Sequence, residues 1–559
     1  MKFKSNILAL GLLSLGLTSC TDSFLNVESK TESSTGNYYK TESDAFRALV
    51  GCYDGWQCTT SNSAVGFYLT SEMMADECFA GTGIADARNY SVIDRFDQSQ
   101  SSSDLNILEV DWKNYYAAIY RCNELISRAE GIAWKSDATK GTYIGEARAI
   151  RALCYFDMVR MWENIPLLTE PTTENLPQAA PDEVYQLIID DLKYAAENIP
   201  ANAYPKSQAA TNDGHITKYA AEALLARVYL FYSGYYGKEP ANFTKAEALA
   251  GLEDVISSNE FGLVKEFKNL WPAAAVTWTM NADGSHTKTD TYAGRGNEET
   301  VLAQKFNYTS NYDGDADGNR WQVMIAPRNL ISVPYGQGWG ACTVNPKLIE
   351  SYQSGDTRNS ASAIDYKAEG ITGHSNFSTL YNDQREYTGY SIKKYAPLGI
   401  WQKADDGSWS EINEVQGKDI GATEYQLSPY QDFIVMRYAD VLLMAAELGS
   451  PNAQTYLDQV RDRAFGGDTS KRVTATKENI LKERMYEFAF EGQRYWDLLR
   501  QGVNVAAETI AETRTVLSGG VNDVVDIQSS KIIATRGFCQ IPYNQIVLSN
   551  GVLKQNAGW

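Results

Sequence analysis

Histidine is nearly missing from this chain: three in 559 residues, at 215, 286 and 374. A zinc enzyme or a His-based triad would need these scattered positions to converge. The eight cysteines contain no C-x2-C pair, so the common metal and redox spacings are absent too. After Cys20, cysteines follow at 52, 58, 78, 122, 154, 342 and 539, an odd number that cannot all pair. Cys122 and Cys154 fall within helical patterns, where a small buried apolar role is expected. Beyond the first twenty residues no apolar run comes near the length of a membrane-spanning helix, about 20 residues. Positive charge is also short: 50 Lys and Arg face 70 Asp and Glu, a formal charge of −20. Such a chain repels nucleic acid and anionic lipid except at a local basic patch, which excludes nucleic-acid function.

What is present begins with Lys2 and Lys4, a short apolar run from Ile7 to Leu17, and then Leu17-Thr18-Ser19-Cys20. The run is too short to cross a bilayer and has the layout of an export signal. A cysteine directly after two small residues resembles a bacterial lipobox, in which that cysteine is acylated and becomes the first mature residue. Residues 1–19 are therefore expected to be a lipoprotein-type signal peptide, and Cys20 the lipid attachment point. Two or more acyl chains would hold the protein stably on a membrane without a spanning helix.

Helical periodicity dominates both ends. DWKNYYAAIYRCNELISR carries Trp112, Tyr115, Tyr116, Ile119, Cys122 and Ile126 at steps of three and four. GEARAIRALCYFDMVRMW, PDEVYQLIIDDLKYAAENIP and HITKYAAEALLARVYLFYSGYYG follow, bounded by proline or glycine. Near the C-terminus DFIVMRYADVLLMAAELGS, NAQTYLDQVRDRA and KENILKERMYEFAFEGQRYWDLLRQG each read as helix. Consecutive amphipathic helices with short turns predict a mainly α fold, a tetratricopeptide-like scaffold of helical pairs, although no clean 34-residue period is visible. From about Glu266 to Asp432 the helical period fades. This stretch holds Trp271, Trp278, Trp321, Trp339, Trp401 and Trp409, half of the 12 tryptophans. TVLAQKFNY and TGYSIKKYAP read as short strands, and IWQKADDGSWSEI as a hairpin turning at Asp406-Gly407, with its two tryptophans stacked. The expectation is a large irregular, partly β insertion, and insertions of this length tend to carry function.

Four stretches in order resemble the SusD/RagB family of glycan-binding outer-membrane lipoproteins: GEARAIRALCYFDMVRMWENIPLL, FIVMRYADVLLMAAE, ERMYEFAFEGQRYWDLLRQG and the ending IPYNQIVLSNGVLKQNAGW. The departures are modest. Glu163 stands where glycine is usual, Ala557 replaces the last proline, and His215 sits where an arginine often opens a helix. The resemblance implies an N-terminal helical part over 20–265, a variable ligand-bearing insertion over 266–432, and a C-terminal helical part over 433–559. It further implies a cell-surface position on the outer membrane through the lipid anchor, a glycan ligand, and a SusC-like TonB-dependent transporter as partner. No catalysis and no required cofactor are implied.

Glu483, Glu487 and Glu491 at steps of four invite an acid–base reading like that of a glycosidase. Arg484, Arg494, Asp497 and Arg500 on the same predicted helix, with Arg437, Arg461 and Arg463 nearby, point instead to a structural ion-pair network. Asp190 and Asp191 are read the same way. A sugar presents a C–H face that aromatic rings bury and a hydroxyl rim that polar side chains satisfy. On that chemistry the glycan-binding candidates are Trp321 and Arg328 in NRWQVMIAPRN, Tyr335 and Trp339 in PYGQGWG, and Trp278. By its location in the family, the loop SEMMADECFAGTGIADARNY adds Asp76, Arg88, Asn89 and Tyr90. DGDADGN places Asp313, Asp315 and Asp317 like the front half of a Ca²⁺ loop, but Met324 occupies the place of the bidentate glutamate. The alternatives are a peptide-capture lipoprotein of the same fold and a glycoside hydrolase.

Overall fold

Side-chain caps set where the scaffold helices that open at Asp137, Lys218 and Lys245 begin. The computed structural model describes residues 38–61, 63, 65–86, 90–98, 101–209, 214–308, 317–415 and 424–559, so Cys20 lies outside the described residues. The N-terminal part is built from α1 (Glu42–Ser61), α2 (Glu109–Arg128), α3 (Asp137–Trp162), α4 (Pro181–Asn198), α5 (Lys218–Tyr236) and α6 (Lys245–Ser257). The Ser136 hydroxyl accepts from Thr139 N–H, Thr217 accepts from Ala220 N–H, and Thr244 forms a reciprocal box with Glu247. Pro181 opens α4, and Gly237 in the left-handed region closes α5. Successive helices pack as neighbours through one continuous core that includes Ile119, Leu153, Ile188 and Leu224. Across α3 and α4, Arg151 grips Asp191 with two bonds of 2.8 Å, and Asp190 accepts from Asn242, both structural roles as expected.

The middle stretch contains two hairpins, β1 (Val276–Met280) with β2 (His286–Asp290) and β4 (Gly399–Lys403) with β5 (Trp409–Asn413). Between them lie the buried strand β3 (Thr300–Gln304) and the short helix α7 (Arg320–Ile325). This stretch shares the main core with the helices, through Phe267, Trp271, Leu302 and Trp321. The C-terminal part follows as β6 (Phe433–Arg437), α8 (Tyr438–Glu447), α9 (Ala453–Ala464), α10 (Lys477–Glu487) and α11 (Arg494–Leu499). Among the described residues no helix is long and apolar enough to cross a membrane. None of the seven described cysteines forms a disulfide, and all but Cys58 are buried.

Two expectations are corrected. FIVMR is a strand, not the first turns of a helix: it pairs antiparallel with β3 in the register Phe433↔Gln304, with both strands almost wholly buried. An apolar run buried on both faces does not show its period, and pairing across the core decided it. The stretch after Lys477 is not one helix either. It breaks after Glu487, where Phe490 and Gly492 take positive φ of 62° and 72°, before α11 starts at Arg494. Glu491 therefore leaves the helical stripe of Glu483 and Glu487.

The ion-pair network does form around Arg437, Arg461 and Arg463, and Arg358, Lys394, Glu299 and Asp356 join it from the middle stretch. Arg437 donates to Glu299 (2.5 Å), Glu487 (2.8 Å) and Glu491 (2.8 Å). Arg358 reaches Asp356 and Glu483, each at 2.7 Å, and Arg461 reaches Glu483 at 2.7 Å. Lys394 donates to Glu491 at 2.6 Å, and Arg463 binds Glu299 and Glu487. Burial alone would raise the Glu487 carboxyl, but Arg463, Arg437 and Arg358 hold it well below the ordinary carboxylate range. Removing one member strands the others in a dry interior. Glu487→Ala is expected to cost about 3–5 kcal/mol in urea unfolding; a loss under about 1 kcal/mol, as for a surface pair, would contradict this reading.

Two further carboxyls set opposite pH dependences. Burial, opposed by Lys218, pushes Glu222 on α5 up to about 8 from an ordinary 4.5. Its stabilising contribution is complete below 4.5 and is lost as pH rises through 8. For Asp440 burial is outweighed by Arg484 and Arg227, which bring it down to about 2 from 3.8, so its contribution is lost as pH falls through 2. The melting temperature should peak in mild acid, and Glu222→Gln should flatten the decline between pH 5 and 8. A decline unchanged by that substitution would remove Glu222 as its source.

Candidate functional site

The loop 338–340 is laced to the end of α7 by main-chain bonds: Trp339 N–H donates to Val323 O (2.8 Å) and Gly340 N–H to Ala326 O (3.0 Å). A Cβ on Gly338 would lie 2.0 Å from Val323 O, so only glycine allows that approach. Trp339 is thereby held half-buried, with part of its surface packed against the main core. The Arg320 guanidinium lies 5.1 Å from the ring centroid, a cation–π contact. Beside it, Arg328 donates to Asp86 through Nη1 and Nη2 (both 3.0 Å), to Asp383 through Nε (2.7 Å), and to the Trp339 carbonyl (3.4 Å). Gly83 lies flat on that guanidinium, where a Cβ would be 2.1 Å from Nη2. The Tyr425 phenol is raised chiefly by burial, against hydrogen bonds with Gln426 and Gln337 and the Arg328 charge.

Asp86 also lines a polar cleft of about 340 Å³ with Ser91, Arg95, Arg385, Ser518 and Asp523. A strip thus runs from Trp339 and Arg320 over the Arg328–Asp86 pair into this cleft. One aromatic face with guanidinium, carboxylate and hydroxyl groups beside it suits a ligand with an apolar face and a hydroxyl rim.

Of the described residues in the expected set, the structure brings together Trp339 and Arg328, and it buries or places elsewhere Trp321, Tyr335, Asp76, Tyr90 and Trp278. Trp321 is 4% exposed inside the main core, with ring centroids 4.8 Å from Tyr68 and 4.7 Å from Phe433. It presents no face to a ligand, and as a platform it is withdrawn. The signal was available: Asn319 caps α7 through the Trp321 N–H, and an N-cap before WQVMI marks a short buried helix. Tyr335 is also 4% exposed, its hydroxyl donating to Glu369 (2.6 Å) in a small second core with Leu330, Ile364 and Tyr366. Asp76 is taken up by a bidentate pair with Arg494, at 2.8 and 2.9 Å, that ties the first helices to α11. Tyr90 is 4% exposed. Arg88, Asn89, Asp313 and Asp315 lie outside the described residues. Asp317 is described, and its main-chain carbonyl accepts from Asn307 N–H and Gln57. Among the described residues no three His, Cys, Asp or Glu side chains are grouped to hold a metal ion.

Trp278 belongs to a separate assembly. The two hairpins share a turn: Asp283 accepts from the N–H and hydroxyl of Ser285, and Asp406 does so from Ser408. Gly284 and Gly407 supply the positive φ, 78° and 87°. Trp278 and Trp401 stand at matching positions, as do His286 and Trp409. Trp401 and Trp409 meet through His286, which stacks on Trp401 at 4.1 Å and touches Trp409 edge-on at 5.1 Å. The direct stack expected within one hairpin is replaced by a contact between hairpins. Arg320 escaped the sequence reading, because nothing local joins residues 320 and 339.

The comparisons with known proteins decide the family. A model described as the SusD family matches residues 298–559, and one described as starch-binding associating with outer membrane matches residues 63–230. The chain belongs to the SusD/RagB family. A SusD-like protein of Formosa agariphila is 26% identical over 537 residues, covering 91% of this chain and 93% of that protein. A SusD-like protein of Bacteroides ovatus is 23% identical, covering 89% and 82%. Among solved structures, surface glycan-binding protein A from Bacteroides thetaiotaomicron, in complex with laminarihexaose, superposes with a TM-score of 0.71 at 22% identity, covering 93% of this chain and 100% of that one. A structure named as a laminarin binding SusD-like protein gives 0.68 at 25% identity, covering 93% and 100%. These neighbours share the mainly helical fold, so the SusD-like scaffold holds for this chain.

The two tryptophans separate in a simple experiment. Trp321→Ala should cost about 3–5 kcal/mol in urea unfolding, as for a buried aromatic, and half-buried Trp339→Ala clearly less. Equal losses would contradict the placement of the two rings.

Proposed function

We propose that this SusD-family protein captures an oligo- or polysaccharide at the cell surface and delivers it to a SusC-like TonB-dependent transporter, held on the outer membrane by lipid on Cys20. The observation that carries the reading is the strip at Trp339: one half-buried indole fixed by main-chain bonds, flanked by Arg320 and the Arg328–Asp86 pair, opening into the polar cleft. The family match supports it, as do the solved relatives named for glycan and laminarin binding. A shallow site of this kind binds one glycan segment at about the millimolar level, near −4 kcal/mol. Tethering beside a pore raises the effective concentration without new contacts. A hydrolytic role finds no support in Glu483, Glu487 and Glu491, whose carboxylates are committed to buried Arg358, Arg437, Arg461, Arg463 and Lys394.

The test is native affinity electrophoresis of the chain from residue 21 against plant, fungal and algal polysaccharides, laminarin included, with and without calcium. Retardation by one polysaccharide, weakened about tenfold (1.4 kcal/mol per decade) in Trp339→Ala, is the expected result. Retardation that depends on calcium would bring the Asp313–Asp315–Asp317 loop into the site. Binding untouched by Trp339→Ala would overturn the strip, and binding of peptides but of no polysaccharide would overturn the glycan reading.

A further inference from the structure

A larger cleft, about 870 Å³, shares no lining residue with the Trp339 strip. Its wall is made by Lys265, Phe267 and Lys268 ahead of β1, by Lys393, and by Arg463 and Gly467 at the end of α9. The volume lies in the upper part of the range for small-ligand sites, about 300–1,000 Å³. It has room for a short oligosaccharide.

In an acidic chain this cleft gathers four cations. Arg463 spends its terminal nitrogens on Glu299 and Glu487, and its buried Nε has no hydrogen-bond partner. Lys393 leans on Glu369 at 2.9 Å, and half-exposed Lys268 is 3.5 Å from Glu266. Lys265 is exposed and forms no ion pair among the described residues. The network behind Arg463 balances five cations against five carboxylates, so it offers the cleft no surplus negative charge. Glu266 and Asp462 share the rim, and Asp462 is paired with Arg472. These two carboxylates would repel a densely sulfated chain, whereas single, spaced negative charges can settle on Lys265 and Lys268. Phe267, Ala274 and Ala361 add apolar surface for a sugar ring.

We propose that this cleft is a second glycan site, selective for sugars that carry a carboxylate, of the uronic-acid type. The proposal rests on the glycan reading of the family site and extends it to acidic ligands.

Calorimetric titration of the chain from residue 21 with tri-galacturonate, and with maltotriose as a neutral counterpart, tests it at low and high salt. The acidic trimer is expected to bind, to weaken with salt, and to weaken at least about fivefold in Lys265→Glu. Trp339→Ala should leave that binding intact. A lack of binding, or binding unchanged in both Lys265→Glu and Lys268→Glu, would overturn the proposal. So would loss in Trp339→Ala alone, which moves the acidic sugar to the strip, or preference for a sulfated trisaccharide. Retardation by neutral polysaccharide reports separately on the strip, so failure of the one site is distinguishable from failure of the other.

Discussion

Arg437 sits wholly inside the protein, with Glu299, Glu487 and Glu491 around its guanidinium, Arg358, Arg463 and Lys394 one carboxylate away, and Arg461 joined through Arg358 and Glu483. Its members come from the irregular middle and from the strand and helices of the C-terminal part. Charges this dry are tolerable only when each has a partner in good geometry. The condition is collective: Glu487 serves three arginines, so no segment can withdraw without exposing several unpaired ions. The middle stretch, which has little regular structure, is fastened to the helical scaffold by this cluster and by the β3–β6 pairing beside it.

That fastening gives the candidate glycan strip its definition. Trp339 and Arg328 project from loops, yet each is fixed against rigid elements: Trp339 through Val323 O on α7, Arg328 through Asp86 and Asp383. Glycines at 83 and 338 permit main chain to lie where any side chain would collide. A preorganised ring and a preordered guanidinium lose little freedom when a ligand arrives, which matters most for weak sites. The same scaffold walls the larger basic cleft, since Arg463 belongs both to the network and to the cleft lining. A chain with a formal charge of −20 thus carries a locally cationic recess.

The sequence by itself determined the scaffold. Apolar stripes and terminal prolines and glycines are local chemistry, and they located α2, α4 and α9 to within a few residues. The hairpin at Asp406-Gly407 was legible for the same reason, since a left-handed glycine after an Asp defines the turn. The four motif stretches carried the family. The charge balance excluded nucleic acid, and the run of carboxylates among arginines announced an ion network.

Only the tertiary structure decided which members of each class meet. FIVMR became a strand because β3 was there to pair with it, and Glu491 left the helix because Phe490 and Gly492 turn the chain. Trp321 stands among polar neighbours and Trp339 among glycines, and neither pattern says which ring is buried. Core packing against Tyr68 and Phe433 took the first, and main-chain lacing left the second at the surface. Burial is a property of what folds over a residue from far along the chain, and pairing in the network spans separations from 2 to 164 residues. No local pattern encodes either.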